Sequence, residues 1–125
     1  VHAKVAAAFK HDLVPVICVG ETLDELEQYG QSAVPVRQIK AALAEQSQVG
    51  EFIVAYEPVW AIGSGKAATA KEAQEAHFFI RNIIAHYFNK ETSEFIKILY
   101  GGSVKLNNIQ EFIKNIKYLD IHTNT

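Results

Sequence analysis

The chain has 125 residues, with 12 Lys and Arg against 14 Asp and Glu, a formal net charge of -2 and an isoelectric point near 6.2. This balance lacks the clustered basic excess of a dedicated nucleic-acid surface. No apolar run approaches the roughly 18 residues of a membrane span, and the N-terminus has no long apolar core of a signal peptide. A cytoplasmic protein is expected. The single cysteine, Cys18, excludes an intrachain disulfide, and its Val/Ile-rich surroundings predict a buried, reduced thiol.

Along the chain, helical and strand patterns alternate, which favours a parallel sheet in an α/β fold. Val1, Val5, Ala8 and Phe9 share a face at helical spacing, so the chain starts inside a helix. Pro15 to Val19 reads as a strand, and the acidic stretch Thr22 to Tyr29 as a short turn or helix. After Gly30 comes a helix with Val36, Ile39, Ala42 and Leu43 on its apolar face, closed by Gly50. Phe52 to Tyr56 is a buried strand that Pro58 must end, because proline cannot donate to a sheet ladder. Thr69 and Glu72 form a capping box that opens a helix with Ala73, His77, Ile80, Ile84 and Phe88 on one face. His77 there packs beside the core and is not a metal ligand, since no His-Glu-x-x-His or Cys/His cluster accompanies it. A strand over Ile98 to Tyr100, a short helix and a strand stub complete the order. Neither repeats nor linkers divide the chain, so residues 1-125 are read as one unit.

Chemistry concentrates at Glu57, placed at a strand's C-terminal rim. It directly precedes an apolar loop, Pro58-Val59-Trp60-Ala61-Ile62, followed by Gly63-Ser64-Gly65-Lys66. Large apolar groups in a loop with glycine hinges describe a lid that covers something. A carboxylate beneath a lid is suited to moving a proton to and from carbon beside a carbonyl.

Three segments, Pro15 to Glu21, Glu57 to Lys66 and Ile98 to Val104, together resemble the triosephosphate isomerase family, with Ser64 where the family has threonine. The resemblance runs from Val1 to about Asp120. Ile121 to Thr125 departs from it, and no Gly-Gly pair follows Leu119-Asp120. It implies the C-terminal half of a (β/α)8 barrel, strands five to eight with the last truncated or altered, since a full barrel takes about 250 residues.

The implied activity is interconversion of dihydroxyacetone phosphate and glyceraldehyde 3-phosphate, in glycolysis and gluconeogenesis. Under this resemblance Glu57 is the base, and the backbone N-H groups of Gly63 and Ser103 bind the substrate phosphate. Pro58, Val59, Trp60, Ala61, Ile62, Ser64, Gly65 and Lys66 belong to the lid, and Tyr100, Gly101, Gly102 and Ser103 form the loop that latches it. Neither metal nor cofactor is implied. The family's lysine, asparagine and electrophilic histidine belong to the other half, so the chain alone is expected to be inactive. The family enzyme is a homodimer; here the partner is the N-terminal half or another copy.

Two other classes compete. Gly63-Ser64-Gly65-Lys66 fails as a P-loop, because Trp60 stands where glycine is needed and Ala67 where Ser or Thr is needed. It also fails as a dinucleotide loop, because Glu57-Pro58-Val59-Trp60 separates strand from glycines. A non-catalytic half-barrel acting as an assembly partner is the stronger rival, because the open strand edges of such a sheet invite pairing.

Overall fold

Short apolar runs such as Val16–Val19, set between Pro15 and Gly20, form the strands, and apolar residues spaced by three and four form the helices that cover them. A computed structural model describes residues 1-47, 49-64, 66-115 and 120-121. In chain order the elements are α1 (His2–Lys10), β1 (Val16–Val19), α2 (Leu23–Tyr29), α3 (Ala33–Leu43), β2 (Ile53–Tyr56), a 3-10 turn (Val59–Ala61), α4 (Ala70–Tyr87), α5 (Lys90–Phe95), β3 (Ile98–Tyr100), α6 (Ile109–Asn115) and β4 (Asp120–Ile121). The described strands make one sheet in the order β1-β2-β3-β4, every neighbouring pair parallel. The expected α/β arrangement with a parallel sheet is present.

Strand alternation sorts the side chains. Ile17 and Val19, Val54 and Tyr56, and Ile98 and Tyr100 are all buried in the core with residues from the helices. The alternate positions of β1 point the other way: Val16 is 50% exposed, and Cys18 is exposed. The expected burial of Cys18 is therefore corrected. An apolar neighbourhood in sequence does not say which face a residue takes, and Cys18 takes the one the helices leave open.

α4 is the main cover. Ala73, Ala76, His77, Ile80 and Ile84 line its buried face, and each fully buried isoleucine contributes about 1.5–3 kcal/mol. Thr69 and Glu72 form the expected capping box, with Glu72 N donating to Thr69 Oγ1 at 3.1 Å and Thr69 N donating to Glu72 Oε2 at 2.7 Å. A second box, Thr22 with Glu25, starts α2. α3 ends at Leu43, with Glu45 at φ 58, so Gly50 lies well past the stop assigned to it. α5 was not expected; Asn89 caps it, and Arg81 Nη1 ties it to α4 by donating to the carbonyls of Ser93 and Ile96 at 2.6 and 2.9 Å.

Candidate functional site

β1, β2 and β3 each place one residue of a common row just beyond their last paired positions. The register aligns Val19 with Tyr56 and Tyr56 with Tyr100, so the next row is Gly20, Glu57 and Gly101. In an open α/β sheet, ligands bind at the carboxyl ends of the strands, and this row lies there. Glu57 thus sits between two residues without side chains.

Both glycines are required by contact. A Cβ on Gly20 would lie 1.9 Å from the Glu57 carbonyl oxygen, and one on Gly101 would lie 2.6 Å from Glu57 Cγ and 2.9 Å from its Oε1. The backbone is fixed in the same place, with Glu57 N donating to Val19 O at 2.7 Å and Gly101 N to Tyr56 O at 2.8 Å. The Glu57 side chain is half-buried. Partial burial, and then the charge of Glu57, push the nearby Cys18 thiol pKa up.

Glu21 is the residue whose place sequence reading missed. It is fully buried, and its Oε1 accepts from Tyr56 Oη at 2.7 Å and from Trp60 Nε1 at 3.1 Å. Among the described residues Oε2 has no hydrogen-bond partner. Burial, followed by the negative charge of Glu21, drives the Tyr56 phenol pKa far upward, so Tyr56 stays a donor. Val-Gly-Glu at a strand end is visible in the sequence, but nothing in it signals a buried carboxylate.

The segment after Glu57 is draped from this anchor. Pro58 and Ala61 are buried, Trp60 is half-buried, and Val59 and Ile62 are exposed at 50% and 42%. Gly63 is exposed with φ +67, a conformation that suits glycine. Ser64 Oγ donates to Trp60 O at 2.6 Å and accepts from Lys66 N at 3.2 Å. Gly65, counted with the lid, lies outside the described residues, as do residues 122-125 of the divergent tail.

Of the expected latch residues, Ser103, just beyond β3, meets this segment. Ser103 Oγ donates to Ala61 O at 2.8 Å. The Tyr100 ring stacks on Phe112 with centroids 4.7 Å apart, and Gly102 leaves room for its hydroxyl, since a Cβ there would lie 2.1 Å from it. Among the described residues that hydroxyl has no well-formed hydrogen bond. Burial pushes its pKa up to about 12, with the Ala68 backbone working against the rise. The site therefore brings Glu57, Trp60, Ala61, Gly101 and Ser103 together, with Tyr100 packed in the core against Phe112 and Tyr56, while Gly63 and Lys66 stand out from it.

His77 is a core residue. It is buried, its ring meets the Tyr56 ring edge-on at 6.3 Å, and burial, then the Arg81 cation, lower its pKa to about 3. Among the described residues no group of three His, Cys, Asp or Glu could hold a metal ion, and no helix is long and apolar enough to cross a membrane. A cavity of about 810 Å³ lies at the opposite ends of the strands, between Phe52, Ile53, Tyr87, Phe95 and Lys97. It gathers no set of converging carboxylates and backbone donors comparable to the Glu57 rim.

Comparison with known proteins matches residues 1–118 to the family model described as triosephosphate isomerase. Among curated proteins, the triosephosphate isomerase of Leifsonia xyli subsp. xyli is 50% identical over 114 residues, 91% of this chain and 44% of that protein. That of Chlamydia abortus is 47% identical over 111 residues, 89% and 44%. That of Citrifermentans bemidjiense is 50% identical over 112 residues, 88% and 45%. The chain spans less than half the length of these relatives.

Proposed function

The chain belongs to the triosephosphate isomerase family, and on that footing we propose that it is the C-terminal part, strands five to eight, of a barrel that interconverts dihydroxyacetone phosphate and glyceraldehyde 3-phosphate. Glu57 is the base. It removes a proton from the carbon beside the substrate carbonyl and returns it to the neighbouring carbon, a task one carboxylate performs in both directions. The backbone N-H groups of Gly63 and Ser103 receive the phosphate, Pro58 to Lys66 close over it, and Tyr100 and Ser103 hold the closed lid. Lid closure excludes water from the reacting carbons.

One observation carries this reading: Glu57 stands at the carboxyl end of β2 between Gly20 and Gly101, beside a loop tied down by Glu21 and Ser103. The two glycines in the same row let the neighbouring strand ends close directly on Glu57 and fix the seat of its carboxylate.

The remaining roles belong to residues beyond this chain, so the chain alone is inactive and its partner is the complementary N-terminal segment, with the completed barrel a cytoplasmic homodimer. The test is turnover of glyceraldehyde 3-phosphate by the chain alone and mixed with the N-terminal segment of a close relative. Activity should appear only in the mixture and vanish with Glu57→Gln. Undiminished turnover by the Glu57→Gln mixture would falsify the assignment.

A non-catalytic assembly role is the second reading, favoured by the open face of β1 at Val16 and Cys18. It predicts complex formation without turnover in the same mixture.

A further inference from the structure

Beyond its last ladder partner at Val19, β1 continues into Gly20, whose peptide groups are met from α3. Gly20 N donates to Gln38 Oε1 at 2.8 Å, and Gln38 Nε2 donates to Gly20 O at 3.3 Å. Gln38 is half-buried beside α3's core residues Ile39 and Ala42. A carboxamide can donate and accept at once, so it serves both groups of one residue, which neither a carboxylate nor an ammonium can do.

Gly20 is the contact on which two carboxylates depend. Its Cα side is pressed against the Glu57 carbonyl, with no room for a methyl group. The next residue is Glu21, whose carbonyl accepts from Val59 N at 2.9 Å and whose side chain holds Trp60. A shift of Gly20 therefore moves the backbone of Glu57 from one side and the Trp60 anchor from the other. We propose that Gln38 is a positioning residue: by clamping both peptide groups of Gly20 it sets the seat of Glu57 and of the Glu21 hook together. The catalytic half of this inference rests on the function proposed above; the Trp60 half does not.

Trp60 is the sole tryptophan, so its emission in the intact chain reports the hook directly. Gln38→Leu keeps the volume and removes both hydrogen bonds; its Trp60 emission should shift to the red and acrylamide should quench it faster, with the helical circular dichroism unchanged. Gln38→Glu supplies a donor and an acceptor only while protonated. Relative to wild type at each pH, its emission should match wild type in acid and move toward that of Gln38→Leu as pH rises through the carboxyl pKa. Packing alone gives no such pH profile, and the Gln38→Glu titration decides the matter if Gln38→Leu does not fold.

Wild-type emission and quenching in a folded Gln38→Leu chain, or a Gln38→Glu profile parallel to wild type, overturns the proposal. In the barrel completed with a relative's N-terminal segment, Gln38→Leu should lower kcat by about a hundredfold for a displacement near 1 Å while KM changes little. If Trp60 responds as described but the completed wild-type barrel never turns over, the positioning role stands and the isomerase reading fails.

Discussion

Trp60 hangs from Glu21: the indole nitrogen donates to a carboxylate oxygen 3.1 Å away that already accepts from Tyr56 at 2.7 Å. The segment that follows Glu57 is thereby pinned at its apolar end to a carboxylate on the neighbouring strand. Glu21→Ala strands the buried Tyr56 hydroxyl and frees the part-buried Trp60 indole N-H; a buried donor left unpaired costs about 1–3 kcal/mol. A loss of about 1–3 kcal/mol in denaturant unfolding is expected, with a red shift of Trp60 emission. Glu21→Gln keeps an acceptor and should lose less. Equal stability of the alanine variant and wild type would show that the pair contributes nothing.

Gly101→Ala places a methyl carbon against Glu57 Cγ, where only 2.6 Å is available. The Glu57 side chain is the part that can yield, so the carboxylate moves while the strand stays. In a completed barrel, turnover should fall by about a hundredfold for a shift near 1 Å, with apparent substrate binding nearly kept. Steady-state kinetics separates the two; a change confined to KM would mean that Glu57 had not moved.

His77 gives the fold an acid-sensitive step. Its pKa is about 3 when folded against an ordinary 6.5, so between those values the unfolded chain binds the extra proton. Stability from this group is fully present above about pH 6.5 and falls as pH drops toward 3, by at most about 1.4 kcal/mol per pH unit. His77→Leu removes that slope. Urea midpoints at pH 7 and pH 5 should converge in the variant relative to wild type, and an unchanged difference would place the proton uptake elsewhere.

The two capping boxes should differ in weight. Thr69 opens α4, which buries six residues, whereas Thr22 opens α2, which buries none. Thr69→Ala should cost about 0.5–2 kcal/mol of global stability; Thr22→Ala should fray α2 and leave the unfolding midpoint nearly unchanged. Thermal melts of the two variants provide the comparison.

Local signals were legible where the chemistry is local. The Thr69 box, the strand stop enforced by Pro58 and the periodic face of α4 are written in neighbouring residues, and the structure has all three. Thr22 with Glu25 carries the same Ser/Thr-x-x-Glu signal, but the stretch was read only as a short turn or helix without its box. The placement of Glu57 between Gly20 and Gly101 depends on sheet register, which joins residues about forty apart and has no mark in the sequence. The same holds for Glu21 and Gln38, whose partners lie on other elements. Cys18 was misjudged because composition counts apolar neighbours, whereas burial depends on which face of β1 the helices cover. Gly50 misled as a stop signal because α3 had already ended at Leu43 through the turn at Glu45.

Gly20, Gly101 and Gly102 shape the rim by what they lack: one admits a carbonyl, one a carboxylate stem and one a phenol hydroxyl. Under random mutation these three positions would accept almost no replacement, although they bear no reactive group. Leu106 and Phe95, 95% and 79% exposed, could drift freely in this chain. A library of viable variants would then outline the rim as sharply through its invariant empty places as through Glu57 itself.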